Sequence, residues 1–116
     1  MPPAYRLSRR ALSDLHRILT HSTGNWGEAR AERYVEDIYK VFGKIAKTPE
    51  IGLERRNRAY PFLMMAAEQH FVVYHVMSDT VLILTVQHQR RDIERLIKSM
   101  HKDLLLDIEA FRARYS

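Results

Sequence analysis

The chain has 116 residues, 46% of them apolar and 28% charged, and no cysteine. That is one globular domain's worth of ordinary composition, and it excludes disorder, a disulfide scaffold, a thiolate metal site and a cysteine nucleophile. Nineteen Lys and Arg against fourteen Asp and Glu leave a formal charge of +5, and the longest apolar run, Val81-Leu82-Ile83-Leu84, is far too short to cross a bilayer. With no apolar signal core at the N-terminus, a cytoplasmic protein with no membrane partner is expected.

Tyr5-Arg6-Leu7 reads as a short extended start. Ser8 then has the chemistry of a helix N-cap, and Ala11, Leu12, Leu15, Ile18 and Leu19 follow at helical spacing. Gly24 is expected to end this helix. Asn25 to Glu28 has capping-box spacing for a second helix, whose stripe is Ala31, Tyr34, Val35, Ile38, Val41, Phe42 and Ile45. Pro49 stops it. The lone tryptophan, Trp26, falls between the helices, either as an anchor of the turn or as a partner contact.

Residues 50–57 read as a loop and Ala59 to Met65 as a strand. His70 to Val76 alternates, with Phe71 and Val73 facing one way and Val72, Tyr74 and Val76 the other. Ser78-Asp79 makes a tight turn. Val81 to Val86 is apolar on both faces, which requires a central strand covered on two sides. From Arg90 the period is helical again, through Ile93, Leu96, Ile97, Met100, Leu104, Ile108, Phe111 and Tyr115. About 25 helical residues span nearly 40 Å. The expectation is that this helix breaks near residues 99–102 or packs its end on another chain, so that deleting residues 102–116 alters association and leaves the fold. The predicted whole is an α+β domain with its helices gathered on one face of a small antiparallel sheet.

No glycine-rich nucleotide loop and no nucleophile elbow is present. The six histidines fall at no ligand spacing, so neither a metal nor a cofactor is expected. The basic residues are unevenly placed. Arg55, Arg56 and Arg58 sit together before one strand, and His88, Arg90 and Arg91 close another. Guanidinium groups grip planar anions, which makes these six the candidates for contact with a target. His88, His75, Arg58, Arg90 and Arg91 are also the groups a metal-free ribonuclease would need if strand ends met on one edge. The plainer alternatives are a strand-end histidine bonded to a backbone carbonyl and, for Arg90-Arg91-Asp92, ordinary helix-start chemistry with Asp92 at the positive end.

Several segments in order resemble the ParE-type toxins of the RelE/ParE superfamily. They are Tyr5-Arg6-Leu7-Ser8 leading to Ala11, Asp14-Leu15 and Ile18; Trp26-Gly27, Ala31 and Tyr34; Pro49-Glu50-Ile51-Gly52; Phe71-Val72-Val73-Tyr74; and Val86 through Asp92. The resemblance covers about residues 4–98 of a single toxin domain and leaves 99–116 as a C-terminal helical extension. It implies the element order β-α-α-β-β-β-α, with a helical hairpin on a small sheet. It also implies growth inhibition under stress by a stable toxin that binds DNA gyrase without turnover and is held by a cognate antitoxin. The RelE branch implies the alternative, a ribosome-dependent mRNA endonuclease using Arg58, His88 and Arg90. Family antitoxins lie along the hairpin, where Leu12, Leu15, Leu19, Trp26, Val35, Ile38 and Phe42 would receive one. The extra apolar stripe past residue 98 suggests a homo-oligomer through the C-terminal helix.

Overall fold

A computed structural model describes residues 5–54 and 61–115. Strand β1 (Tyr5–Leu7) leads into helix α1 (Arg9–Trp26) and helix α2 (Glu28–Lys47). A single 3₁₀ turn (Pro49–Ile51) precedes β2 (Leu53–Glu54), β3 (Leu63–Ala67), β4 (His70–Val76), β5 (Val81–His88) and helix α3 (Ile93–Tyr115). The order is the expected β-α-α-β-β-β-α, with a two-residue β2 added inside what reads as a loop. The five strands lie in the order β1-β5-β4-β3-β2. The meander from β2 to β5 is antiparallel, whereas β1 runs parallel to β5, with Leu7 opposite Ile83. The sheet is therefore mixed. The helical hairpin and strands β2 to β4 separate β1 from its neighbour β5, and this long connection brings the chain back in the same direction.

Ser8 both caps and anchors α1. Its hydroxyl oxygen accepts from the Ala11 N–H at 3.0 Å and donates to the Leu84 carbonyl at 2.9 Å, while its own N–H reaches the Ile83 carbonyl at 3.0 Å. The helix does not end at Gly24. A mid-helix glycine costs only about 1 kcal/mol, and the reversal occurs instead at Gly27, whose φ of 87° favours glycine. Gly27 N–H bonds Thr23 O and its carbonyl accepts from Ala31 N, so one residue closes α1 and opens α2. The Asn25–Glu28 capping box does not form, and the Asn25 amide bonds His21 Nε2 at 3.0 Å. After Lys47 the chain turns under Tyr74, whose hydroxyl donates to Pro49 O at 2.6 Å and accepts from Gly52 N at 2.9 Å. Strand β3 starts later than the sequence suggests, at Leu63, and runs through Ala66 and Ala67, residues of low strand propensity held by pairing with β4.

The helices are not gathered on one face. Helices α1 and α2 cover one side of the sheet, burying Ala11, Leu15, Ile38, Phe42 and Ile45 against Val72, Tyr74, Val81, Ile83 and Val86. Helix α3 covers the other, burying Ile97, Leu104 and Ile108 against Phe62, Val73, Leu82 and Leu84. Strand β5 is thus central and covered twice, as its apolar faces require. A bulge sits where Val73 pairs Thr85 but Tyr74 pairs Ile83, leaving Leu84 as the extra residue. Helix α3 neither breaks near residues 99–102 nor needs another chain to cover its stripe, because its own sheet does so. Removing residues 102–116 would uncover the second core, which reverses the expectation for that truncation.

Candidate functional site at the end of the β4–β5 ladder

The ladder between β4 and β5 makes His70 and His88 direct cross-strand partners. Their rings stand edge to face with centroids 5.0 Å apart. Tyr34, brought over from α2, places its hydroxyl 2.6 Å from His70 Nδ1 and accepts the Gln69 N–H at 3.0 Å. The Tyr34 hydroxyl thus joins the Gln69 backbone to the His70 ring. On His88 the ring Nδ1 accepts the Arg90 N–H at 3.0 Å. An amide N–H can only donate, so His88 carries its proton on Nε2. This is a satisfied strand-end histidine, with a backbone N–H as partner in place of the expected carbonyl. Gln89 completes the cluster: its N–H bonds Gln69 O, and its side-chain amide donates to Glu68 O at 2.9 Å and His70 O at 3.3 Å. Burial first, and then the electrostatic interaction with the neighbouring His88, push His70 down to about 4 against the opposing pull of the Asp14 carboxylate. Burial also raises Tyr34. The pair is a neutral, hydrogen-bonded unit at neutral pH.

Beneath it lies Asp14, buried in the stripe of α1. Its carboxylate accepts from the Thr85 hydroxyl and the Val86 N–H and pairs with Arg17. One carboxylate satisfied three ways ties α1 to β5, and desolvating it is tolerable only because all three donors are present. A cleft of about 640 Å³ opens beside this cluster, between α1, the end of β5 and the start of α3. Arg10, Arg17, Arg90 and Arg91 line it along with His21 and His88. Arg91 reaches Gln87 Oε1 at 3.2 Å, and the Asp92 carboxylate caps α3 by accepting Arg95 N–H at 3.2 Å. Trp26 sits on the rim, 36% exposed, tilted against Tyr34 with the Arg30 guanidinium 4.9 Å from its ring centre. It is both a prop for the hairpin turn and an accessible surface.

Of the target-binding candidates, His88, Arg90 and Arg91 converge on this cleft, while Arg55, Arg56 and Arg58 lie outside the described residues. His75 does not join them. It faces Leu82 at the other end of β4, donating from Nδ1 to Pro61 O at 2.9 Å. Of the hairpin candidates, Leu15, Ile38 and Phe42 are core residues with no surface to offer. Leu12 is 50% exposed, and Leu19 and Val35 are half-buried. Sequence reasoning missed Tyr34, His70 and Asp14 as a unit. The one local signal was Asp14 itself, a carboxylate inside an otherwise apolar stripe.

The fold is shared with a chain from each of two solved toxin–antitoxin systems. The chromosomal ParDE toxin–antitoxin system from P. aeruginosa superposes with a TM-score of 0.63 at 20% identity, over 73% of this chain and 96% of that one. The toxin–antitoxin complex RelBE2 from Mycobacterium tuberculosis gives 0.57 at 20%, over 77% and 100%. The family model described as "ParE toxin of type II toxin-antitoxin system, parDE" matches residues 5–93. "Toxin ParE1" of Caulobacter vibrioides is 36% identical over 85 residues, 73% of this chain and 88% of that protein. "Toxin ParE" of Escherichia coli is 26% identical over 92 residues, 78% and 88%. The chain belongs to the ParE toxin family of type II toxin–antitoxin systems. The family match ends at the first residue of α3, so nearly all of that helix lies outside it.

Proposed function

We propose that this toxin acts in the cytoplasm by binding DNA gyrase and blocking replication, with no covalent chemistry of its own, and that a cognate antitoxin neutralises it. The observation that carries the choice of gyrase is the packing of α3. The RelE-type alternative works with basic residues displayed on the sheet, and here that face is filled by Val73, Leu82 and Leu84 under Leu104 and Ile108. Of the candidate target-binding arginines, the two among the described residues, Arg90 and Arg91, are exposed at the β5–α3 junction, on a ladder end. Long-range attraction from a +5 body would favour an acidic protein partner.

One feature favours the nuclease reading: His70, His88 and Arg90 border a single cleft. Both imidazoles are engaged through Nδ1, so any proton transfer would fall to Nε2. A supercoiling reaction separates the two. The purified chain is expected to inhibit gyrase or trap cleaved DNA at stoichiometric levels. Normal supercoiling together with cut messages in a cell-free translation system would overturn the gyrase assignment.

A further inference from the structure

The cleft beside the His70–His88 pair carries more chemistry than contact with a protein target requires. Its volume of about 640 Å³ falls in the range of small-ligand sites, roughly 300–1,000 Å³. Its cations are unequally committed. Arg17 is paired with the buried Asp14 carboxylate, and Arg10 with Asp107 at 3.0 Å. Arg90 and Arg91 are exposed neighbours, and among the described residues neither is paired with a carboxylate. His88 stands with them, and because its Nδ1 accepts the Arg90 N–H, its Nε2–H is a further donor. Two adjacent guanidinium groups beside an N–H donor suit the oxygens of a phosphate, which one guanidinium can grip through two bonds. A flat apolar surface is close by. The Trp26 ring centre is 5.4 Å from that of Tyr34, the Tyr34 hydroxyl is 2.6 Å from His70 Nδ1, and the His70 ring is 5.0 Å from that of His88. Trp26 also lines the cleft, as does the exposed Gln69, whose carboxamide both donates and accepts.

We infer that this cleft binds a free purine nucleotide, its phosphates on Arg90, Arg91 and His88 and its base against Trp26 and Gln69. The aromatic ring supplies a stacking surface for the base, and the carboxamide can meet polar groups on the base edge. A nucleic-acid strand is the poorer occupant. A strand is held by a continuous positive track, whereas the remaining arginines of the lining, Arg10 and Arg17, are already paired with carboxylates. The site has a consequence for toxicity that rests on the gyrase reading above. Arg90 and Arg91 are also the cations offered to gyrase, so a bound nucleotide covers them and releases the target.

Trp26 is the only tryptophan in the chain, so its emission reports on the cleft. The test titrates the full chain with GDP and follows tryptophan fluorescence, with free N-acetyltryptophanamide as the control for absorption by the nucleotide. Saturable quenching is expected. Guanosine, by quenching, and inorganic phosphate, as a competitor of GDP, should each bind at least tenfold more weakly. Arg90→Ala combined with Arg91→Ala should weaken GDP tenfold or more while the melting temperature stays within a few degrees. Absence of quenching, phosphate alone binding as tightly as GDP, or an unchanged affinity in the double variant would each overturn the inference. A short single-stranded RNA or DNA binding tenfold more tightly than GDP would overturn it too, and would make the cleft a strand site. In a supercoiling reaction, saturating GDP should relieve inhibition by the toxin, with gyrase and GDP alone as the control. Full inhibition by GDP-bound toxin would sink the link to toxicity. Growth and supercoiling are also measured without GDP. A chain that inhibits both but ignores GDP loses only the nucleotide site, whereas one that binds GDP and inhibits neither loses the gyrase reading.

Discussion

Gly52→Ala is a substitution whose effect can be worked out from the packing. Gly52 has φ −70° and ψ 150°, a conformation any residue adopts, so backbone strain is not the issue. Space is the issue. A Cβ built there lies 2.2 Å from the Tyr74 Oη and under 3.0 Å from two ring carbons, more than an ångström short of the 3.4 Å where ordinary contact begins. Tyr74 is fully buried and cannot swing out. Forcing it back costs about 1–3 kcal/mol as overpacking. It also strains the two hydrogen bonds to Pro49 O and Gly52 N, each worth about 1 kcal/mol. The total is about 2–4 kcal/mol, or roughly 10–15 °C in melting temperature for a domain of this size. Thermal and urea unfolding by circular dichroism would measure it. Tyr74→Phe removes the closest atom but leaves the ring carbons, so the double variant should be less destabilised than the sum of the singles by at least about 1 kcal/mol. A Gly52→Ala protein melting within about 3 °C of the parent, or strictly additive singles, would refute the reasoning.

Four further outcomes are expected. Asp14→Ala should lower stability by roughly 2–4 kcal/mol in urea unfolding, because the Thr85 hydroxyl and Val86 N–H are left buried without their acceptor. His70 binds its proton at about 4 when folded and near 6.5 when unfolded. The unfolded chain therefore takes up the proton first on acidification, and the contribution present above pH 6.5 is lost as pH falls toward 4. His70→Gln should flatten that part of the stability profile by roughly 1–2 kcal/mol, since the ring is only half-buried, and parallel profiles for the two proteins would contradict this. Arg90→Ala with Arg91→Ala should weaken toxicity while the melting temperature moves by only a degree or two, because both side chains are exposed and the bond from Arg91 to Gln87 lies at the surface. Truncation after His101 removes Leu104 and Ile108 from Leu82 and Leu84, and should yield an unfolded or aggregated chain by circular dichroism and size-exclusion chromatography.

Much of this molecule is written locally. Ser8 carries its own cap chemistry, and Ala11 to Leu19 and Ala31 to Ile45 carry a period that only a buried helical face explains. Val81 to Val86 is apolar on both sides, so a doubly covered central strand follows from hydrophobic burial alone. Asp92 likewise announces the start of α3. These features depend on residues within a turn or two of each other, where backbone sterics and side-chain spacing decide the outcome.

Other features depend on which surfaces meet, and tertiary structure alone decided those. The local signals placed the junction between the helices at Gly24 and Asn25, but the reversal went to Gly27, the residue that tolerates a φ of 87°. The stripe on α3 demanded cover without naming it, and the vacant face of the sheet supplied the cover by the burial of Leu104 and Ile108. His70 and His88 stand 18 positions apart, and only the β4–β5 register set their rings 5.0 Å from each other with Tyr34 alongside. The period of a segment fixes which side must be hidden, through the free energy of apolar burial. Which partner hides it, and which polar groups are thereby brought together, is settled only when distant segments compete for the same core.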